Sequence, residues 1–145
     1  MSLPIPEAGL VICYAYLWRA ENRRGLDEGI KNRPCAIVLA KQIQAYETLV
    51  TVVPITHREP ENPDEAVEIP LATKRRLGLD HSRSWVIVNE VNRFVWPGVD
   101  LRPVSRSEPG RFDYGVLPPS IFNEIKAKLL ACANAQRLAA VHRTK

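Results

Sequence analysis

Four short runs rich in β-branched and aromatic residues occupy the first two-thirds of the chain: "LVICYAYLW" at 10–18, "CAIVLA" at 35–40, "TLVTVVPI" at 48–55 and "SWVIVNEV" at 84–91. Each is short and bounded by Pro, Gly or charged residues, the pattern of strands ended by turns. Nothing long and helical lies between them. Parallel strands need crossover connections of a dozen residues or more, so these runs predict an antiparallel sheet, curled strongly or rolled into a small barrel. "VEIPL" at 67–71 and "VDLRPV" at 99–104 are weaker strand candidates whose prolines assign them to edges. "LATKRRLGL" at 71–79 has room for a single helical turn.

The carboxy-terminal stretch follows a different period. "PPSIFNEIKAKLLACANAQRLAAVHR" opens with prolines and Ser120 as a capping candidate, then sets Ile121, Ile125, Leu129 and Cys132 along one stripe. Cations gather at its end, where they complement the negative pole of a helix. The expected class is therefore mainly β with a C-terminal helix, a barrel over about 8–105 and a helix over about 118–142. A chain of 145 residues fits one domain, 1–145, and buries about 68% of its unfolded surface at that size.

No apolar stretch approaches the roughly 18 residues of a membrane-spanning helix, and "MSLPIPEAGL" lacks the basic start and apolar middle of a secretory signal. A cytoplasmic protein is expected. Cys13, Cys35 and Cys132 are odd in number and form no CxxC pair, and His57, His81 and His142 have no metal-ligand spacing. Neither a disulfide framework nor a metal site is expected. The net charge of +4 is unevenly spread. Arg19, Arg23, Arg24, Lys31 and Arg33 form one basic segment, Lys74, Arg75, Arg76 and Arg83 a second, and an acidic "HREPENPDEAVE" lies between them. Two basic segments suit a phosphate-backbone ligand, and a solvated surface with ordinary charge clustering accounts for them equally well.

Two polar loops stand out, 19–34 and 57–66, the first long for a hairpin connection. If the strands flanking them pair, both loops project from one end of the sheet and Arg33 faces Thr56 across it. A guanidinium offers a rigid fork matched to phosphate oxygens and stabilises negative charge as it builds on a phosphorane. It is a poor proton carrier. The proton work then falls to Glu28, Glu90 or His57, an imidazole titrating near pH 6.5 when unperturbed being suited to acid–base catalysis. RNA carries its own nucleophile in the ribose 2′-hydroxyl, so this chemistry requires no cofactor.

Gly9 with its apolar run, "DEGIKNRPCAIVLA" at 27–40, "VTVVPIT" at 50–56 and "WVIVNEVNRF" at 85–94 resemble the successive blocks of the MazF/PemK/Kid family of toxin endoribonucleases. The resemblance covers roughly 8–130, and the Arg-Pro and Pro-Ile-Thr pair is its most specific part. It implies an SH3-like barrel, a homodimer, metal-independent cleavage of single-stranded RNA at short sequence contexts, and inhibition by a small cognate antitoxin. Carried over residue by residue, it assigns the catalytic arginine to Arg33, the threonine to Thr56 and the loop glutamate to Glu28, whereas His57 is a candidate on its own chemistry and its place directly after Thr56. Arg23, Arg24, Lys31, Lys74, Arg75, Arg76, Asn89 and Glu90 are the expected RNA contacts. The chain departs from the pattern at Asn89-Glu90, where an Asp-Gln pair serves some members, at His57, where serine is common, and at Asp27, where some members have a histidine. These departures leave the general acid and base open.

Three functions remain. The first is a sequence-selective endoribonuclease toxin that cleaves by 2′-hydroxyl attack and leaves a 2′,3′-cyclic phosphate. The second is a gyrase-poisoning toxin of the CcdB-like barrel type, acting by protein contact, and the third a non-cleaving nucleic-acid-binding regulatory barrel. Arg33 and Thr56 favour the first over the second, whereas Asn89 keeps the third open.

Overall fold

The computed structural model describes residues 3–25 and 31–143. Its elements are β1 (Leu10–Tyr14), α1 (Arg19–Arg23), β2 (Arg33–Gln44), β3 (Glu47–Thr56), a 3-10 turn (Pro63–Glu65), β4 (Ala66–Glu68), α2 (Leu71–Leu77), β5 (Trp85–Ile87), β6 (Glu90–Val95), β7 (Asp113–Val116), α3 (Pro119–Asn134) and β8 (Ala139–His142). The expected class, mainly β with a C-terminal helix, is the class observed.

β3 is the hub of the sheet. One edge pairs with β2 in a hairpin whose register sets Gln44 opposite Glu47 and Cys35 opposite Pro54. Its other edge is shared, with β6 on Leu49 to Val52 and β5 on Ile55 and Thr56. The order β4-β5-β3-β2-β1-β7 is antiparallel throughout, and the β6–β8 branch adds a parallel pair. Register shifts between Ile37 and Leu39, between Gln42 and Gln44, and between Val11 and Ile12 give the strands the local twist that irregular pairing produces. Among the described residues no pairing joins β7 to β4 or β8, so the sheet curls without closing its backbone ladder.

Period-2 alternation divides the buried side chains between two clusters, one on each face. Val11, Ala36, Val53, Ile55, Val67 and Val86 join the first, onto which α3 lays Ile125 and Cys132, with Ile121 and Leu129 packed beside them. This is the stripe the helical spacing predicts. Leu10, Ile12, Tyr14, Cys35, Ile37, Val50 and Val52 join the second, where the Tyr14 and Phe94 rings stack 4.5 Å apart. β1 is buried on both faces, the condition under which a strand reads as a continuous apolar run. Gly9 stands just before it, with a φ of +95° that suits glycine and a Cβ position that would lie 3.3 Å from Val116 Cγ1.

Several boundaries differ from the sequence reading, and β1 stops at Tyr14 rather than running to 18. "SWVIVNEV" is two strands, because Val88 and Asn89 break the pairing between β5 on β3 and β4 and β6 on β3 and β8. The segment 99–104 contributes only an isolated bridge from Leu101 to Tyr14. The last helix stops at Asn134 rather than near 142, and the sheet extends past 105 through β7 and β8. Gln136 takes a left-handed φ of 59°, ending the helical path, and β8 then lies parallel to β6 with Val141 buried. An apolar stripe interrupted by one turn kept its phase well enough to read as a single helix. Cys13, Cys35 and Cys132 are buried free thiols. Among the described residues no helix is long and apolar enough to cross a membrane.

Candidate active site

Arg33 opens β2 and Thr56 ends β3, and the hairpin register that sets Cys35 against Pro54 carries Arg33 towards Thr56 two residues further on. The two line a pair of adjoining hollows of about 560 and 570 Å³. Lys31 and Arg58 line both as well. The juxtaposition expected from the sequence is therefore present, and both polar loops contribute walls.

Arg33 is half-buried, with its guanidinium carbon 5.0 Å from the centre of the Trp18 ring. Its Nε is buried and has no hydrogen-bond partner among the described residues. Leaving a buried donor unmade costs about 1–3 kcal/mol, so such a group in a folded protein calls for an explanation, and a ligand oxygen is one. Trp18 holds the flat cation by its face. The Thr56 Oγ1 accepts from the Arg58 amide at 3.2 Å, a local turn that fixes the hydroxyl at the strand end.

Glu90 opens β6 on the wall of the first hollow, together with Asn89, Trp18 and Arg24. Its carboxylate accepts from the Tyr16 hydroxyl at 3.2 Å and from the Arg19 amide at 3.0 Å. Burial pushes its carboxyl up, against the pull of the Arg19 amide and the Tyr16 hydroxyl. A carboxylate so tuned in a cleft is a candidate proton carrier.

His57 lines the other hollow, beside Thr56. Its Nε2 lies 2.7 Å from Asp80 Oδ2, and Asp80 Oδ1 accepts from Lys74 Nζ at 2.7 Å. Burial opposes ionisation of Asp80, but Lys74, His57 and the Ser82 amide together hold its carboxyl below the usual range. Arg33 and Thr56 thus stand between two potential proton carriers, Glu90 on one side and His57 on the other.

The expected nucleic-acid contacts separate into two groups. Arg24, Lys31, Asn89 and Glu90 line the cleft, and Arg23 is exposed on α1 nearby in sequence. None of the four cations of the second basic segment, Lys74, Arg75, Arg76 and Arg83, lines either hollow. Lys74 corrects the expectation most clearly: it is 2% exposed, and its ammonium is spent on Asp80, the Ser82 carbonyl and the Ser84 hydroxyl. Arg76 donates to the Val116 carbonyl and Arg75 is exposed on the same short helix. Charge runs count cations without regard to which face they take. Glu28 and Asp27 lie outside the described residues.

Sequence reasoning missed Trp18, Arg58 and Asp80 as cleft residues. Trp18 carried a signal, an aromatic at the boundary between an apolar run and a charged loop, and Arg58 follows the Pro-Ile-Thr-His stretch directly. Asp80 carried none, because its pairing with His57 joins segments 23 residues apart only through the fold. Among the described residues no three His, Cys, Asp or Glu side chains gather to hold a metal ion.

The fold resembles that of an "Endoribonuclease in complex with its cognate antitoxin from Mycobacterial species", at 16% identity and a TM-score of 0.51 over 90% of this chain and 96% of that one. No curated protein matches the chain. A family model for the PemK-like, MazF-like toxin of type II toxin-antitoxin systems matches residues 16–95, more than half of the chain. That span begins beside Trp18 and ends after Glu90, so it takes in Arg33, Thr56 and His57, and the chain belongs to the PemK-like, MazF-like toxin family.

Proposed function

We propose that the chain is a sequence-selective endoribonuclease toxin and that the Arg33–Thr56 cleft holds the scissile phosphodiester of single-stranded RNA. The observation that carries this reading is the Arg33 guanidinium, braced on Trp18, with a buried Nε unmatched among the described residues, at the end of the β2–β3 pair where Thr56 also lies. Membership of a toxin family and a fold shared with an antitoxin-bound endoribonuclease support it. The 2′-oxygen attacks phosphorus, and its proton passes to a base in the cleft. The P–O5′ bond breaks, and the leaving oxygen takes a proton from an acid on the opposite side. Glu90 and His57 flank Arg33 and Thr56 and supply the two roles. Arg33 offsets the charge that builds on the non-bridging oxygens. Arg24, Lys31 and Arg58 hold the flanking strand by its phosphates, with Asn89 available to a base edge. The working form is a homodimer burying on the order of 1,600 Å² or more, restrained by a small cognate antitoxin.

The test is incubation of the purified protein with a mixed RNA pool in EDTA, followed by mapping of the new ends. The expected products carry a 2′,3′-cyclic phosphate and a 5′-hydroxyl at a recurrent short sequence. Intact RNA under every condition would overturn the reading.

A further inference from the structure

We propose that Asp80, anchored by the buried Lys74, is a positioning residue that fixes His57 with its Nε2–H towards the carboxylate and its Nδ1 lone pair available to accept the 2′-hydroxyl proton. The inference rests on the RNA-cleavage reading and deepens it by separating the two proton roles.

The geometry has three parts. His57 follows Thr56 directly and lines the same hollow as Arg33, so its ring is adjacent to the proposed phosphate position. A carboxylate only accepts, so the 2.7 Å contact from His57 Nε2 to Asp80 Oδ2 requires the proton on Nε2. In the neutral ring the other nitrogen, Nδ1, then carries the lone pair, and it has no hydrogen bond among the described residues. Finally, Asp80 cannot swing freely. Lys74 holds Oδ1 at 2.7 Å and is itself held by the Ser82 carbonyl and the Ser84 hydroxyl, the latter at 2.7 Å, while the Ser82 amide donates to Asp80 Oδ1 at 3.1 Å. A half-exposed aspartate on a loop would ordinarily hold a histidine loosely. Here a cation buried under the loop determines which oxygen faces the ring.

The other charged groups around this hollow are Lys31 and Arg33 from the start of β2 and Arg58 on the loop of His57 itself. All three are cations, and Asp80 is the one anion among the described residues lining this hollow, in contact with the ring. During reaction the 2′-O–H proton passes to His57 Nδ1 as the 2′-oxygen bonds to phosphorus, and Glu90 gives its proton to the departing 5′-oxygen. Solvent then returns both groups to their starting states.

Asp80→Asn separates this role from ordinary packing. Lys74 needs an acceptor at Oδ1, so the asparagine oxygen stays beside Lys74 and its NH₂ faces His57. An NH₂ favours the Nδ1–H tautomer and removes the lone pair from the reacting side, the kind of tautomer error that disables a histidine base. The experiment measures ¹⁵N shifts of the His57 ring in wild type, Asp80→Asn and Asp80→Glu, with single-turnover RNA cleavage of the same samples. The expected result is an Nε2–H ring in wild type, a shift towards Nδ1–H in Asp80→Asn with kcat at least about tenfold lower and KM little changed, and partial recovery of both in Asp80→Glu. An unchanged tautomer and unchanged kcat in a folded Asp80→Asn protein, with a wild type that cleaves RNA, would overturn this proposal alone. A wild type that cleaves no RNA would overturn the nuclease reading and the proton assignment with it, while the ring shifts would still show whether Asp80 sets the tautomer.

Discussion

Two arginines lie over aromatic rings in this molecule, and they differ in what remains of their donors. Arg143, just after β8, sits with its guanidinium carbon 5.5 Å from the Tyr14 ring centre and is almost wholly buried. It donates to the Ala15 carbonyl, to Asn92 Oδ1 and to Asp100 Oδ2, and its backbone amide donates to the Arg93 carbonyl. Asn92 in turn clasps the backbone of Leu17 with both ends of its amide. Arg33 has the same kind of ring beneath it, yet it opens on a cleft and keeps a buried Nε unmatched among the described residues. One guanidinium ties the C-terminal strand to β6 and the chain after β1. The other is braced and withheld. The aromatic contact is common to both arginines, whereas the accounting of their donors differs.

The strongest challenge to this contrast is Arg143→Ala. It takes from the buried Asp100 the closer of two arginine partners, leaving Arg102 at 3.4 Å, and removal of one member of a buried pair costs about 3–5 kcal/mol. Denaturant unfolding should show that loss, and cleavage by whatever fraction stays folded should be near normal. A mutant that unfolds like wild type would place Arg143 outside the scaffold.

Glu90→Gln comes next. The amide still accepts from Tyr16 and Arg19 but carries no transferable proton, so cleavage should fall about a hundredfold, about 2.7 kcal/mol in the barrier. Stability should move the other way. A carboxyl whose folded value is raised stabilises the fold below its unfolded value, and that contribution is lost as pH rises through the folded value. The glutamine variant should therefore be at least as stable as wild type at pH 7, with a flatter stability profile above the ordinary carboxylate range. Reduced stability at pH 7 would mean that Glu90 serves the fold.

Trp18→Ala should act through Arg33 and cost about 1 kcal/mol, roughly a fivefold loss of cleavage rate, because the cation keeps its charge and loses its brace. A loss as large as that of removing Arg33 itself would make the ring a direct RNA contact.

The same contrast explains what could be read from the sequence. Arg33 and Thr56 were legible because a hairpin register is local: once two apolar runs pair, residues at their ends meet. The α3 stripe was legible because Ile121, Ile125, Leu129 and Cys132 share one face at helical spacing. Arg143, Asn92 and Asp100 were not, since their network joins β6, β8 and the loop after Trp96, and nothing in any one segment announces the others. Lys74 misled for a related reason. Its neighbours Arg75 and Arg76 suggest a basic face, but one turn of α2 rotates it inward to Asp80. β8 was hidden because Leu138, Ala139 and Val141 continue the apolar stripe of the helix before them.

The central claim is that Arg33 serves the transition state and Arg143 the fold, and single-turnover cleavage of single-stranded RNA by Arg33→Ala, beside its thermal unfolding, tests it most directly. The account predicts a rate about a thousandfold below wild type, about 4 kcal/mol, with RNA affinity less affected and the unfolding midpoint nearly unchanged. Arg33→Lys should recover only part of the rate, since an ammonium keeps the charge but not the two-pronged geometry. Cleavage at the wild-type rate by a folded Arg33→Ala protein would contradict the account.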